Sequence, residues 1–252
     1  MEHRYAIEIN HLTKRFMLQD RNITGLKGVI LHLPEYIKGR VNAKSFVALD
    51  DVSFNLRQGE TLGLVGPNGC GKTTLLSIIG KVIRRYEGKV SIHGRIGMML
   101  ALGAGFANEL SGRENIILNC VLLGYTRKQT MSILDEVIDF ADIGDFIDRP
   151  LFQYSTGMQM RLGFAVATVV DPDILLVDEA MAVGDAAFVH KCGIKIKQLL
   201  SRNVSLILVS HNPHDIQNYC RRVIALERGK ICFDGPTSDY FEMVHRNQVF
   251  NP

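Results

Sequence analysis

The sequence lacks the long apolar stretches that membrane-spanning segments require, and it contains no tryptophan. Its longest strongly apolar runs, such as residues 163–170, reach about eight residues, whereas a bilayer-spanning helix needs roughly 20. The charged start MEHRYAIEIN is not followed by an apolar segment, so it is not typical of a secretory signal peptide. These absences predict a cytosolic chain, unless a partner holds it at a membrane.

Cysteine pairs and a large excess of charge are also missing. The five cysteines form no C-x-x-C pair, which is typical of free thiols in a reducing compartment. The 29 basic and 26 acidic residues leave a net charge of +3, too small to indicate a nucleic-acid partner. A basic run between Lys81 and Arg95 is interpreted as a solvated face. The composition therefore argues against a disulfide scaffold and against nucleic-acid binding.

The order of apolar patterns predicts an α/β chain. ILLVD (174–178) and VSLILVS (204–210) are short and fully apolar, as parallel strands buried on both faces are. Further strands are predicted at YAIEIN, VALDDVSFNL and ETLGLVG, with a hairpin in VIALERGKICFDG that turns at Arg228-Gly229. Helices are predicted from Gly71, over 112–141, from Thr156 to about Val170 and after Pro236. This order indicates an α/β core with a helical lobe inserted at about residues 100–165.

A phosphate-binding loop lies between an apolar strand and a helix. GPNGCGKTT matches G-x-x-x-x-G-K-[ST] in the strand–loop–helix context that this motif requires. Its backbone N–H groups can cradle phosphates, while Lys72 offers a cation and Thr73 a hydroxyl for Mg²⁺. The residues predicted to bind the nucleotide phosphates are Gly66, Asn68, Gly69, Cys70, Gly71, Lys72, Thr73 and Thr74.

Polar residues follow two buried strands downstream of this loop. Asp178 ends the strand ILLVD, so its carboxylate is predicted at the carboxyl edge of the sheet, where open α/β sheets bind ligands. There it can hold Mg²⁺, and Glu179 can polarise an attacking water. His211 ends the strand ILVSHN and is predicted to contact the γ-phosphate at the same edge.

The stretch YSTGMQMR (154–161) resembles the LSGGQ signature of ABC-transporter ATPases, with Ser155 and Gly157 at its phosphate-binding positions. The order of motifs resembles this family over about residues 45–235. The resemblance implies a P-loop NTPase core of ABC type, with an antiparallel β subdomain and an inserted helical lobe, in a single nucleotide-binding domain spanning 1–252. It also implies a homodimer that sandwiches ATP, in which the signature meets the γ-phosphate held by the other subunit. Asp185, seven residues after Asp178, matches a further family position.

The phrases LGAGFANELSGRENI and VDEAMAVGDAAF resemble the ATP-binding subunits of polysaccharide exporters of the O-antigen and teichoic-acid type. This resemblance implies ATP and Mg²⁺ as cofactors and a peripheral position on the cytoplasmic face of the inner membrane. The partner implied is a polytopic permease, through which the glycan is mainly contacted. The chain ends at Pro252 without a β-rich extension, so a C-terminal glycan-binding domain is not expected.

Several positions depart from the family pattern or extend it. Ala101 stands where the family commonly has a glutamine that senses the γ-phosphate, so the glycines at 103 and 105 are predicted to act as a hinge instead. Phe46 is the candidate for the adenine-stacking aromatic, with Phe16 and Tyr36 as alternatives. Residues 20–46 form an inserted loop with five basic and two acidic side chains, suited to meeting the permease and anionic lipid headgroups.

Reactivity is predicted for one cysteine. Cys70 lies beside Lys72 at a helix N-terminus, and both features are expected to lower the pKa of its thiol and to raise its reactivity. The other four cysteines occur in apolar patterns and are expected to react slowly.

Three other functions remain open from the sequence. The chain could serve an ABC transporter for another substrate, and co-purification with a permease would show which transporter it belongs to. It could be a soluble ABC ATPase without a transport role, although such proteins usually carry two cassettes or a long coiled coil. A non-catalytic nucleotide-binding module is disfavoured by Lys72, Asp178, Glu179 and His211.

Overall fold

The computed structural model of the chain describes residues 4–17, 45–99, 106–178 and 186–246. Within these ranges the chain forms two β-sheets and a set of helices, as the sequence predicts. The strands are β1 (Tyr5–Met17), β2 (Ser45–Arg57), β3 (Thr61–Val65), β4 (Glu87–Ile92), β5 (Ile96–Met99), β6 (Ile174–Asp178), β7 (Ser205–Val209), β8 (Arg222–Glu227) and β9 (Lys230–Pro236). The helices are α1 (Lys72–Ile79), α2 (Gly112–Leu122), α3 (Arg127–Ala141), α4 (Thr156–Val169), α5 (Ala186–Ser201), α6 (Pro213–Tyr219) and α7 (Thr237–His245).

The larger sheet has the order β5-β6-β7-β3-β8-β9 among the described strands. All its neighbouring pairs are parallel except β8 and β9, which form the predicted antiparallel hairpin. At the turn, Arg228 (φ 49°) and Gly229 (φ 80°) both adopt the left-handed region, as a type I′ turn requires. Because β3, β6 and β7 are parallel, their carboxyl ends lie on one edge of the sheet, and this edge carries Asp178 and His211.

The central strands are buried on both faces. In β6, Ile174 and Leu176 pack into a core shared with α1 and the smaller sheet, whereas Leu175 and Val177 pack into a second core with α4 and α5. This double burial explains why β6 and β7 have continuous rather than alternating apolar sequences. It also fixes the positions of the carboxyl ends of these strands.

The smaller sheet is antiparallel and has the order β2-β1-β4 within the described part of the chain. Its first strand is longer than predicted, because the polar segment after YAIEIN also pairs with β2 as far as Met17. This pairing is irregular, with His11 (φ 53°) and Asp51 (φ 57°) in the left-handed region. Of the loop predicted at residues 20–46, residues 20–44, including Tyr36, lie outside the described residues. The prediction was wrong for Ser45 and Phe46, which pair with β1 as the start of β2.

Helices α2, α3 and α4, which lie between β5 and β6 in the sequence, pack around a third apolar core. The single helical pattern predicted for 112–141 is two helices, because Thr126 starts α3 with a capping box to Gln129. Helix α2 begins in the same way, with Ser111 and Glu114 forming its capping box. Among the described helices, none combines the length and apolar character needed to cross a membrane.

Candidate active site at the carboxyl edge of the sheet

The P-loop connects β3 directly to the first turn of α1. Gly66 has a φ of 143°, and a Cβ there would lie 2.2 Å from the carbonyl oxygen of Leu226. Gly71 has a φ of 114°, and a Cβ there would lie 2.5 Å from the carbonyl oxygen of Ala48. Both positions therefore need glycine, because the loop passes close to neighbouring backbone in a conformation that other residues rarely adopt.

The P-loop is anchored by a contact that the sequence reasoning missed. The backbone N–H of Gly229, in the β8–β9 turn, donates to the carbonyl of Cys70 at 3.0 Å. Only the turn residues Arg228-Gly229 mark this segment in the sequence, and they indicate a hairpin without indicating what it touches. The hairpin therefore supports the loop from the side of β8.

Lys72 is buried at the start of α1, and its ammonium group lies inside the P-loop. It donates to the carbonyl oxygen of Gly66 at 2.7 Å and to that of Pro67 at 3.2 Å. In contrast, Asn68 and Gly69 at the tip of the loop are exposed. The loop thus places a cation beneath an open rim of backbone, which suits the binding of phosphate groups.

Thr73 and Asp178 are brought together from distant parts of the sequence. The Thr73 hydroxyl donates to a carboxylate oxygen of Asp178 at 3.1 Å, and Asp178 is almost fully buried at the end of β6. Neighbouring oxygen ligands of an octahedral Mg²⁺ lie about 2.9 Å apart, since each is 2.0–2.1 Å from the ion. The two oxygens therefore fit adjacent positions around one magnesium ion.

The described residues contain no group of three or more His, Cys, Asp or Glu side chains that could hold a metal ion. Magnesium in nucleotide sites does not require such a group, because it retains water and is completed by substrate phosphates. The hydroxyl and single carboxylate found here match that kind of site.

His211 follows β7 at the same edge as Asp178. Asp178 pairs in register with Val209, so His211 lies two residues beyond the strand position next to Asp178. The side chain of His211 is exposed at this edge. The segment after it is shaped by Ser210, whose hydroxyl donates to Asp215 at 3.0 Å and accepts from the backbone N–H of Asn212 at 3.0 Å. This arrangement fixes the backbone on which His211 is carried.

The signature segment forms the N-terminus of α4. Ser155 is the N-cap residue, and its hydroxyl accepts from the backbone N–H of Met158 at 3.2 Å, as the sequence predicts. Ser155 is exposed, whereas the preceding Tyr154 is buried and donates its hydroxyl to the carbonyl of Phe146 at 2.6 Å. The buried tyrosine holds the helix start in place, and the exposed serine presents it to the outside.

Gly157 has open space around its Cα. A Cβ there would meet only the Ser155 hydroxyl oxygen, at 3.9 Å, within the described residues. The packing of this chain therefore does not require glycine at this position, although it does require it at Gly66 and Gly71. A glycine without an internal reason, next to an exposed helix N-terminus, leaves room for a group from outside the chain.

Phe16 and Phe46 lie opposite each other across β1 and β2. Both rings are partly exposed, 37% for Phe16 and 50% for Phe46. The ammonium group of Lys14 lies 4.5 Å from the centre of the Phe16 ring and thus covers one of its faces. The paired position explains why the sequence cannot separate the two candidates for adenine stacking, and both remain candidates.

Two predictions about the cysteines are wrong. Cys70 is buried, and burial raises the pKa of its thiol above the ordinary value, with Lys72 offsetting only part of this effect. Cys232 was expected to react slowly because it occurs in an apolar pattern, but it is exposed, since alternation along the edge strand β9 turns its side chain outward. Cys120, Cys192 and Cys220 are buried, as the apolar patterns predict.

Several predicted site positions cannot be placed. Glu179, Asp185 and Ala101, with the glycines at 103 and 105, lie outside the described residues.

Comparisons with known proteins identify chains of similar sequence. A protein-family model described as "ABC transporter" matches residues 49–182. The chain is 42% identical over 226 residues to the O-antigen export system ATP-binding protein RfbB of Klebsiella pneumoniae, covering 90% of this chain and 92% of that protein. It is 39% identical over 239 residues to the teichoic acids export ATP-binding protein TagH of Lactiplantibacillus plantarum, covering 95% of this chain and 64% of that protein.

Solved structures share the fold. A dimeric ATP-binding cassette in a post-hydrolysis state, bound to ADP and phosphate, superposes with a TM-score of 0.71 at 20% identity, covering 92% of this chain and 98% of that one. A second dimeric structure, of a bacterial ABC transporter cassette, gives a TM-score of 0.70 at 21% identity with the same coverage. At these identities the likeness establishes the architecture: an ABC-type α/β core with an antiparallel sheet and a helical region.

Proposed function

The chain belongs to the ABC transporter family as one of its ATP-binding cassettes, and from this membership we propose that it hydrolyses ATP to drive export of a cell-surface polysaccharide through a separate membrane permease. The observation that carries the proposal is identity of 42% across 90% of the chain to an ATP-binding protein of an O-antigen export system. Similar identity to a teichoic acids export protein supports a glycan as the substrate, whichever polymer it is.

Nucleotide binding is assigned to the P-loop edge. The backbone N–H groups of the loop and Lys72 bind the β- and γ-phosphates of ATP. The Thr73 hydroxyl and the Asp178 carboxylate hold Mg²⁺, which fits their separation of 3.1 Å. When bound, Mg²⁺ offsets negative charge on the phosphate oxygens during the transfer. Phe46, or Phe16 beside it, stacks on the adenine.

Hydrolysis follows from the order of groups along this edge. A water oxygen attacks the γ-phosphorus while the bond to the bridging oxygen breaks, which releases ADP. Glu179 accepts a proton from the attacking water, and His211 contacts the γ-phosphate so that its charge is stabilised. Asp185, which follows β6 in the sequence, is assigned to nucleotide binding. These roles rest on chain position and family membership.

The site is completed by a second copy of the chain. Ser155 and Gly157 form an exposed helix N-terminus with space beside it, which suits the γ-phosphate bound by the P-loop of another protomer. We therefore assign the active form as a homodimer with ATP between the two copies. The chain is held at the cytoplasmic face of the inner membrane by the permease, and residues 20–46 contribute to that contact.

The function is tested in a strain from which the chain is deleted. We expect the polysaccharide to accumulate in the cytoplasm and to be lost from the cell surface, with restoration by the wild-type chain but not by Lys72→Ala. Normal surface polysaccharide together with loss of another exported compound would indicate a transporter for a different substrate. Absence of any export defect, and of a co-purifying permease, would indicate a soluble ABC ATPase.

A further inference from the structure

Asn115 is a fully buried polar residue in α2, and its side chain forms hydrogen bonds with residues 107–111 at the start of this helix. Its amide oxygen accepts from the backbone N–H of Ala107 at 2.8 Å. Its amide nitrogen lies 3.0, 3.1 and 2.9 Å from the carbonyl oxygens of Ala107, Leu110 and Ser111, and its two N–H groups donate to these three acceptors, so one N–H group is shared. The reverse orientation of the amide would set an oxygen against three carbonyl oxygens, so the network defines how the side chain is placed.

The segment held by Asn115 also pairs with the residues just before the signature. Leu151 donates its backbone N–H to the carbonyl of Leu110 at 3.0 Å, and Phe152 donates to that of Asn108 at 3.1 Å. The carbonyl of Leu110 thus accepts from both Asn115 and Leu151. Asn115 therefore orients the acceptor that holds Leu151, four residues before Ser155.

The same segment is close in the chain to the phosphate edge. Strand β5 ends at Met99, which pairs with Val177, the residue before Asp178. Seven residues later, the Phe106 ring lies against α4, because a Cβ built at Gly163 would be 3.7 Å from it. Phe106 therefore contacts the signature helix, and Ala107 is hydrogen-bonded to α2.

We propose that Asn115 is a positioning residue that fixes the signature, Ser155 and Gly157, through residues 107–111. A misplaced signature would make a weaker contact with the ATP held by the other protomer. The proposal rests on the ATP-sandwich dimer of the proposed function. An asparagine suits the position because its amide both accepts from an N–H group and donates to carbonyl oxygens.

The test compares Asn115→Asp with Asn115→Ala. Both changes are made in a Glu179→Gln parent, in which we expect ATP-bound dimers to accumulate. Aspartate has nearly the same shape and can still accept from Ala107, but its carboxylate cannot donate to the three carbonyls. Asn119→Ala is the matched control, since the amide of Asn119 donates to the Asn115 carbonyl of its own helix at 2.9 Å. Binding of a fluorescent ATP analogue and ATP-driven dimerisation are measured for each variant.

We expect ATP-analogue affinity to stay within about twofold of the parent, while dimerisation weakens about 10- to 100-fold in both Asn115 variants, as small misplacements of reacting groups do. Asn119→Ala should match the parent. Lowering the pH should partly restore dimerisation in Asn115→Asp alone, because a buried carboxyl has a raised pKa and donates one hydrogen bond once protonated. Equal dimerisation in Asn115→Asp and its parent would overturn the proposal, and so would equal losses of binding and dimerisation.

A second measurement separates this proposal from the proposed function. Hydrogen exchange at the Leu151 and Phe152 amides is followed by NMR on the chain alone, without a dimer. Asn115→Asp should exchange these amides about tenfold faster than wild type, and Asn119→Ala should not. If the parent fails to dimerise with ATP, the sandwich is wrong. If these two amides exchange at wild-type rates in Asn115→Asp, the positioning role is wrong.

Discussion

The Thr73 hydroxyl donates to the Asp178 carboxylate at 3.1 Å and so joins the first turn of α1 to the end of β6, across 105 positions of sequence. The bond is formed by the two side chains that the sequence nominates for magnesium. It shows that folding brings the two side chains within hydrogen-bonding distance, because both are carried by elements that pack into the core. The site is therefore set by the packing of the sheet.

Asp178→Asn tests the metal role without removing this bond. The amide oxygen can still accept from Thr73, so the free energy of unfolding should change by no more than about 1–2 kcal/mol. The negative charge that holds Mg²⁺ is lost, and we expect ATP hydrolysis to fall about 100- to 1000-fold. ATPase rates over a range of Mg²⁺ concentrations, together with thermal unfolding, measure both effects.

Two substitutions of Thr73 serve as controls for this prediction. Thr73→Ser keeps the hydroxyl and should retain most of the activity, whereas Thr73→Val keeps the shape and should lose it. If Asp178→Asn hydrolysed MgATP at the wild-type rate, the magnesium site would have to lie elsewhere.

Lys72→Ala and Glu179→Gln should separate binding from hydrolysis. Lys72 supplies the buried cation of the P-loop, so its loss should abolish nucleotide binding. Glu179→Gln should bind ATP, fail to hydrolyse it and accumulate as an ATP-bound dimer. Analytical ultracentrifugation at saturating MgATP distinguishes the two variants. A Glu179→Gln protein that stays monomeric there would contradict the proposed arrangement of sites.

Strands and helices with a continuous apolar pattern were predictable from the sequence. Residues 174–178 and 205–209 are buried on both faces, and such strands leave no ambiguity of pattern. The second half of β1 was not predictable, since its polar residues pair with β2 through irregularities that only the fold imposes. The prediction for Cys232 was wrong for a related reason. An edge strand can expose a residue that belongs to an apolar stretch of sequence.

The candidate site likewise has parts that were predictable from the sequence and parts that were not. The P-loop, Asp178 and the cap at Ser155 follow local rules of spacing and helix capping, and a sequence carries these directly. Asn115 was missed because its bonds depend on how residues 107–111 fold back onto α2. The available signal was a polar residue directly before the buried Ile116, inside the phrase GRENI.

Thiol labelling should follow burial rather than position in the P-loop. A maleimide should modify Cys232 first, since it is the exposed cysteine of the five; the pKa of its thiol is also raised, by partial burial and by Glu227, so exposure decides the order. Cys70 should react slowly near neutral pH, because its raised pKa lowers the fraction of reactive thiolate at a given pH. Its labelling should accelerate as the pH rises toward that pKa. Mass spectrometry of the wild-type and Cys232→Ser chains at several pH values measures this order.

The outcome bears on the phosphate site. If Cys70 reacted faster than Cys232 at pH 7, the P-loop would open in solution far more than its packing indicates. ATPase activity of the labelled protein adds a second reading, because modification of Cys232 should leave hydrolysis unchanged while modification of Cys70 should block it.

Gly157 and Gly112 provide a matched pair, since each lies in the first turn of a helix. Among the described residues, a Cβ at Gly157 would meet only the Ser155 hydroxyl oxygen, at 3.9 Å, whereas a Cβ at Gly112 would lie 2.2 Å from the Tyr154 hydroxyl. Gly157→Ala should therefore stabilise the fold by about 0.5–1 kcal/mol through helix propensity. Gly112→Ala should destabilise it by about 1–3 kcal/mol through overpacking, which lowers the melting temperature by several degrees.

Activity should change in the opposite sense for Gly157. Its added methyl group would enter the space assigned to the γ-phosphate of the other protomer, so we expect hydrolysis to fall about tenfold or more while ATP binding to the single chain is unchanged. Thermal unfolding, nucleotide binding and ATPase rates are measured on both variants. A Gly157→Ala chain that is more stable yet inactive places the constraint outside the fold of one protomer. Full activity in that variant would remove Gly157 from the site, because nothing within the described chain then accounts for a glycine there.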